Sequence, residues 1–423
     1  MQTCLIKNAR VIDPSQGLDR TADILVEAGI IKKIGEIDAE AGRVIDASGL
    51  IAAPGLVDMH VHLRDPGQTE KEDILSGCCA AAAGGVTSLL AMPNTSPTVD
   101  SGETVRYILN KAKEAKARVY VAASITKGLK SEELCDLQEL HDAGAIALTD
   151  DGRPVVNTKF MARAMALAPA LSMKVVAHCE DLYLADGGII NEGRVSQKLG
   201  VKGIPAAAED AGTAREIALA AAYGVPVHIC HVSTATSVAL IRDAKRRGVM
   251  VTAETAPHYF SFTQDALLQR DADYRMNPPL RTERDREAVI EGLLDGTLDA
   301  IATDHAPHTP QDKADFEKAP NGSIGMETSL SAALTFLVHT GRMTLSEVIE
   351  KMSCAPARIL GIDAGTLKAG APADIVLFDL NERYTADPEK LHGKSKNTPF
   401  KGMELKGKVK TTICGGSVVY EDK

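Results

Sequence analysis

Residues 55–63 read GLVDMHVHL, an apolar run that ends on two histidines two places apart. In a strand, residues i and i+2 share a face, so His60 and His62 point the same way. Seven further stretches have this form, a short apolar run closed by polar or histidine residues: VTSLLAMPN (86–94), RVYVAASIT (118–126), AIALTDDG (145–152), KVVAHCED (174–181), VPVHICHVS (225–233), VMVTAETAPHY (249–259) and LDAIATDHAP (298–307). Between them lie windows of helix-forming composition, such as 101–117 and 159–170. Strands alternating with helix-length segments make βα units around a parallel sheet, and eight of them favour a closed barrel over an open sheet. The predicted fold class is therefore α/β, a (β/α)8 TIM barrel. Its polar strand ends gather at one mouth, where barrel sites are built.

The two ends of the chain read differently. CLIKNARVID, ADILVEAGIIKKIG and GRVIDASGLIAAPG near the start, with ADIVLFDL and KVKTTICGGSVVYE near the end, alternate at a period close to two and are broken by turns. These segments are expected to pair into a small β-sandwich domain formed from both termini. The expected limits are 1–53 and 366–423 for its two parts and 54–365 for the barrel.

A hydrophobic share of 44% with 25% charged residues is that of a folded globular chain, and 423 residues suffice for one large barrel and a smaller unit. A net charge of −10 argues against a general nucleic-acid surface. MQTCLIKNARVID lacks the pattern of a secretory leader, and no apolar stretch is long enough to span a bilayer. The expectation is a cytoplasmic enzyme with neither nucleic acid nor membrane as partner. Eight cysteines, with no CxxC and no dense spacing, read as reduced thiols. Cys179 and Cys230 each adjoin a histidine, but strand alternation should turn both thiols to the opposite face. Lysines between 390 and 410 read as a solvated surface.

An HxH on a strand can place two imidazoles on one ion. Alone it is a weak signal. His178, His231 and Asp304 at other strand ends, with the acidic pair Asp150 and Asp151, strengthen it, and this donor set exceeds what one tetrahedral ion needs. Two divalent ions sharing a carboxylate are expected. Asp58, on the face of His60 and His62, is placed to orient an imidazole. His228 should face away from His231, His258 and His305 are left open, and His141, His339 and His392 read as structural or exposed. Arg64 follows directly on the HxH strand, where its planar fork suits a carboxylate. Asn94, Asn277 and His308 stand where a polar substrate could be oriented.

PGLVDMHVHLRDPG, AMPNTSP, TDDGRPV, AHCED, CHVST, AETAPHY, NPPLR, ATDHAPH and SKNTPFKG, in this order along essentially the whole chain, resemble the bacterial-type dihydroorotases of the cyclic amidohydrolase branch. The resemblance implies two Zn2+ ions, one on His60, His62 and Asp304, the other on His178 and His231. It makes Asp151 the bridge, a choice between Asp150 and Asp151 that alternation leaves open. It assigns substrate contacts to Arg64, Asn94, Asn277 and His308, and to Asn321 and Gly322 in the loop after the eighth strand, where many relatives have an apolar residue before the glycine. The implied reaction is the reversible cyclisation of N-carbamoyl-L-aspartate to dihydroorotate in pyrimidine biosynthesis, with Asp304 moving the proton. A homodimer and association with aspartate transcarbamoylase are compatible with it. Hydantoinases and dihydropyrimidinases share the layout but bridge their metals with a carboxylated lysine on the fourth strand, and AIALTDDG has none. The alternatives are another cyclic amidohydrolase, an allantoinase or dihydropyrimidinase, and a non-catalytic partner of aspartate transcarbamoylase.

Overall fold

A computed structural model describes residues 3–422. Met1, Gln2 and Lys423, at the outer limits of the two expected β segments, lie outside the described residues. Five strands come first: β1 (Thr3–Asp13), β2 (Leu18–Glu27), β3 (Ile30–Gly35), β4 (Arg43–Asp46) and β5 (Ile51–Pro54). The barrel strands follow as β6 (Leu56–Val61), β7 (Val86–Ala91), β8 (Arg118–Ala123), β9 (Ala147–Leu148) and β10 (Lys174–Ala177). A two-stranded ribbon, β11 (Ile190–Asn191) with β12 (Gly203–Ile204), interrupts them before β13 (Val227–Ile229), β14 (Val251–Thr255) and β15 (Ala300–Ile301). The chain ends on β16 (Ile375–Thr385), β17 (Glu404–Cys414) and β18 (Ser417–Glu421).

Each of the eight expected runs supplies one barrel strand, and all neighbouring barrel pairs are parallel. The barrel closes through one parallel bridge between Val61 and His305, where the His62 amide donates to the His305 carbonyl at 2.8 Å. Alternation along the strands makes two apolar faces. Leu89, Val119, Val121, Val175, Val227 and Ile229 pack with helix residues such as Val105, Ile108, Ile217 and Ile241, while Leu90, Ala122, Val176 and Ala300 form a separate inner cluster. The inner residues fill the barrel, so polar groups that face its cavity collect at the strand ends.

The terminal segments meet as expected in one strand-rich unit. β5 is the joint: it runs parallel to β1 (Arg10 opposite Ile51) and antiparallel to β16 (Ala53 opposite Val376), so a single sheet combines both ends of the chain. β5 runs into β6 across Gly55, which couples this sheet to the strand that carries the two histidines. No described helix is long and apolar enough to cross a membrane.

Candidate metal centre

The ends of β6, β10, β13 and β15 and the turn after β9 aim side chains at one point. His60 Nε2 lies 3.2 Å from Asp151 Oδ2 and 3.6 Å from Asp304 Oδ1, and His62 Nε2 lies 3.4 Å and 3.1 Å from the same two atoms. On the other side, His178 Nδ1 and His231 Nε2 are each 3.4 Å from Asp151 Oδ1 and 2.9 Å from each other. Asp151 thus presents one oxygen to each pair of histidines. Arg64, His231 and Asp304 have positive φ of 62°, 35° and 48°, a conformation that side chains rarely adopt and that collects at functional sites.

Asp150 takes no part in this convergence. Its carboxylate accepts from the Ile125 and Thr126 amides at 2.8 and 2.9 Å and from the Thr126 hydroxyl, so it holds the loop after β8. Burial pushes its pKa up to about 6 against those bonds.

Partners on the far side of each ring decide which nitrogen faces the centre. His62 Nδ1 donates to Asn94 Oδ1 at 2.7 Å and His60 Nδ1 to Glu254 Oε1 at 2.9 Å, which leaves both Nε2 lone pairs pointing inward. Glu180, 3.4 Å from His178 Nε2, leaves Nδ1 of that ring inward. Sequence reasoning passed over Glu254 and Glu180. A carboxylate in the apolar strand VMVTAET and another two residues after His178 were the available signals.

Asp58 does not orient a ring. It accepts from the Thr303 amide at 3.0 Å and its hydroxyl at 2.6 Å, joining β6 to the end of β15, and touches His60 only at the backbone amide. The expectation for Cys230 also fails. β13 stops at Ile229 and the chain turns at His231, so Cys230 joins the inner cluster and its Sγ lies within 4.8 Å of donor atoms of His60 and Glu254. Burial pushes the thiol well above its usual pKa, so it stays neutral. Cys179 does face outward, among the helices. His228 is buried, with Nδ1 2.8 Å from Thr252 Oγ1. His258 is buried against Tyr259, His305 accepts the Gly325 amide on Nδ1 at 3.1 Å, His141 pairs with Asp142, His339 meets the Leu380 carbonyl and His392 meets Glu327.

Above the histidines is a cavity of about 220 Å³, lined by His62, Asp151, His178, His231 and Asp304 together with Arg64, Asn94, Asn277, His308, Asn321 and Gly322. Arg64 is 7% exposed, and no carboxylate among the described residues lies within 4.0 Å of it. Burial lowers its pKa to about 10, which leaves it charged at neutral pH. Its Nε donates to the Pro307 carbonyl at 3.1 Å. His308 is neutral, held at a pKa of about 3 by burial and by the Arg64 charge, and its Nε2 donates to the Asn321 carbonyl at 2.9 Å. Arg64 Nη2, 3.4 Å from that nitrogen, is therefore a close approach without a shared proton. Asn277 donates to Glu180 at 3.2 Å, and the Asn321 side chain accepts from Arg275 at 3.1 Å. Gly322 has φ +132°, and a Cβ there would lie 2.6 Å from Ala306 Cβ and 3.0 Å from His308 Nε2, so a side chain would intrude on the cavity wall.

The donor set fits a cation. His60 Nε2 and Asp151 Oδ1 are buried without any hydrogen-bond partner, although each sits within 3.4 Å of an opposite donor. Burial disfavours a charged His178, yet Asp151 and Glu180 outweigh it and push its pKa up to about 10. A divalent ion displaces such protons and satisfies both carboxylate and ring nitrogens. Two groups, His60 with His62 and Asp151, and Asp151 with His178 and His231, each have the nitrogen and oxygen donors of a metal site.

A family model described as Dihydro-orotase-like matches residues 49–237, and one described as Amidohydrolase family matches residues 199–420. The dihydroorotase of Geobacter metallireducens is 54% identical over 421 residues, 99% of either chain, and that of Acetivibrio thermocellus 50% identical over 422 residues, again 99% of either. The chain belongs to the dihydroorotase family. It is an amidohydrolase enzyme with a metal site at the mouth of its barrel. The dihydroorotase chain also superposes on solved structures of cyclic amidohydrolases. The L-hydantoinase (dihydropyrimidinase) of Arthrobacter aurescens gives a TM-score of 0.90 at 27% identity, and the dihydropyrimidinase of Brevibacillus agri 0.88 at 26%, each over 100% of this chain and 96% of the other. What separates dihydroorotases from these neighbours must therefore be sought in side chains at the strand ends.

Proposed function

We propose that this dihydroorotase family member binds two zinc ions and interconverts N-carbamoyl-L-aspartate and L-dihydroorotate. The observation that carries the reading is Arg64: a buried, charged guanidinium with no carboxylate partner, on the wall of a small cavity floored by a metal site. An uncharged ring would leave the guanidinium fork without a paired carboxylate, whereas a substrate carboxylate satisfies it.

In this reading His60, His62 and Asp304 would hold one ion and His178 and His231 the other, with Asp151 contributing to both. Zinc held there would supply polarisation of the scissile amide and a water acidic enough to react near neutral pH. Asp304 then takes a proton from the attacking water and delivers it to the ring nitrogen as the carbon–nitrogen bond breaks, and the reverse sequence closes the ring. Arg64 and Asn94 fix the substrate carboxylate, with His308, Asn277, Asn321 and Gly322 completing the wall. Because His308 Nε2 is taken by the Asn321 carbonyl, its part is to shape that wall and keep a second cation away from Arg64. The proposed domain limits are 54–365 for the barrel and 1–53 with 366–423 for the β unit, in a cytoplasmic enzyme.

A substrate panel tests the reading. The metal-loaded chain is expected to hydrolyse dihydroorotate at least about 100-fold more efficiently than dihydrouracil, which lacks the carboxylate, since a charged hydrogen bond left unmade costs several kcal/mol. Equal turnover of the two, or a preference for allantoin or dihydrouracil, would transfer the chain to another cyclic amidohydrolase.

A further inference from the structure

The stretch SKNTPFKG carries the family resemblance but no part of the chemistry above. It lies between β16 and β17, in the terminal β unit, yet Asn397 is 4% exposed and spends its whole side chain on a barrel loop. Its Oδ1 accepts from the His308 amide at 3.1 Å, and its Nδ2 donates to the Ala306 carbonyl at 3.2 Å and the Gly322 carbonyl at 3.1 Å. Its own carbonyl accepts from the Ile324 amide at 3.1 Å. The two ends of the loop 306–324 are thus fastened to one residue.

Neighbouring residues reach the other loop of the same wall. Ser395 Oγ donates to the Lys71 carbonyl at 2.7 Å, and the Lys394 amide meets both oxygens of Glu72 at 3.2 and 3.3 Å. That loop, which follows β6, bears Arg64. None of these three residues lines the cavity, so any influence they have on a ligand passes through the loops they hold. Asparagine suits the position because a short stem carries two donors and an acceptor in one plane, enough to satisfy three backbone groups at once. A loop of this length left free at its ends would sample many conformations, and binding would have to order it each time.

We propose that Asn397 is a positioning residue: it clamps both ends of the 306–324 loop and, with Ser395 and Lys394, ties that loop to the one bearing Arg64, so that the terminal β unit sets the carboxylate side of the cavity. The carboxylate part of this inference rests on the dihydroorotase reading. The clamp itself rests on the hydrogen bonds alone.

The test uses the full-length, metal-loaded chain. Asn397→Ala is expected to raise KM for dihydroorotate about tenfold or more, with a smaller fall in kcat, as loss of one to two net hydrogen bonds requires. Bound metal should be unchanged, and hydrogen exchange should quicken in 306–324 but not in β6 or β7. An unchanged KM, or exchange quickened evenly through the barrel, overturns the proposal, because a merely structural residue would behave so. Should Asn397→Ala fail to fold, Ser395→Ala carries the test, with KM raised about threefold for one lost bond and an unchanged KM overturning it. A metal-loaded wild-type chain that is inert on dihydroorotate would remove the carboxylate reading. The clamp is then judged by exchange, supported by quickening confined to 306–324 and overturned by its absence.

Discussion

Arg64→Met is expected to lose nearly all turnover of dihydroorotate while keeping its full metal content. The guanidinium is buried and charged, no carboxylate among the described residues lies within 4.0 Å of it, and it shares the cavity with the metal site without reaching the donor atoms. Removing one partner of a buried, charged hydrogen-bonded pair costs about 2–5 kcal/mol, or roughly 30-fold to several thousand-fold in kcat/KM. Methionine preserves much of the stem's volume, so the loss reports the charge and the fork. Arg64→Lys should recover only part of it, since an ammonium keeps the charge but cannot bind a carboxylate in two places. The bond from Arg64 Nε to Pro307 is lost in both variants, so the difference between them isolates the charge. Near-normal activity in Arg64→Met would remove the carboxylate assignment, and loss of metal in that variant would show that Arg64 supports the centre itself.

Asp151→Asn is expected to lose metal as well as activity. One carboxylate faces His60 and His62 with Oδ2 and His178 and His231 with Oδ1, and its negative charge is the one placed between the two groups. An amide has the same shape, but it carries no charge and offers one acceptor in place of two. Two divalent ions a few ångströms apart repel strongly, and a neutral bridge leaves that repulsion uncompensated. Affinity for at least one ion should fall by more than roughly 100-fold, the upper end of what loss of an orienting partner alone produces. Metal analysis after gel filtration at low free zinc reads the outcome directly. Full metal occupancy in Asp151→Asn would show that the two histidine pairs hold their ions without it.

The strand pattern made the barrel legible, because a parallel barrel repeats one simple signal eight times, a short apolar run closed by polar residues. His60, His62, His178, His231 and Asp304 all lie at those ends, and the structure brings them together. Local chemistry was harder to read. Asp150 and Asp151 are adjacent, and only the tertiary bonds from Ile125 and Thr126 to Asp150 show which carboxylate is occupied elsewhere. Alternation misplaced Cys230 because β13 ends one residue before it and the chain then turns through positive φ at His231. Asp58 reads as the orienting carboxylate because it lies on the same strand as the histidines, and nothing in the sequence points to Glu254 as their partner. The partner of a ring is set by the neighbour across the barrel, 194 residues away in sequence, and periodicity within one strand cannot reveal it. Asn397 was hidden for the same reason.

In the proposed reading, a carboxylate supplied by the protein itself, Asp151, stands at the centre of a metal-dependent dihydroorotase. Chain stripped of metal and returned to zinc in buffer depleted of carbon dioxide tests this most directly, with dihydroorotate hydrolysis and bound zinc measured on the same samples. An aspartate is ionised at neutral pH without any prior reaction, whereas a lysine must first capture carbon dioxide. The expected result is activity that returns with zinc alone, reaches its limit near two ions per chain and is indifferent to added bicarbonate. Zinc-loaded chain that remains inert on dihydroorotate, or that recovers only when bicarbonate is supplied, would contradict it.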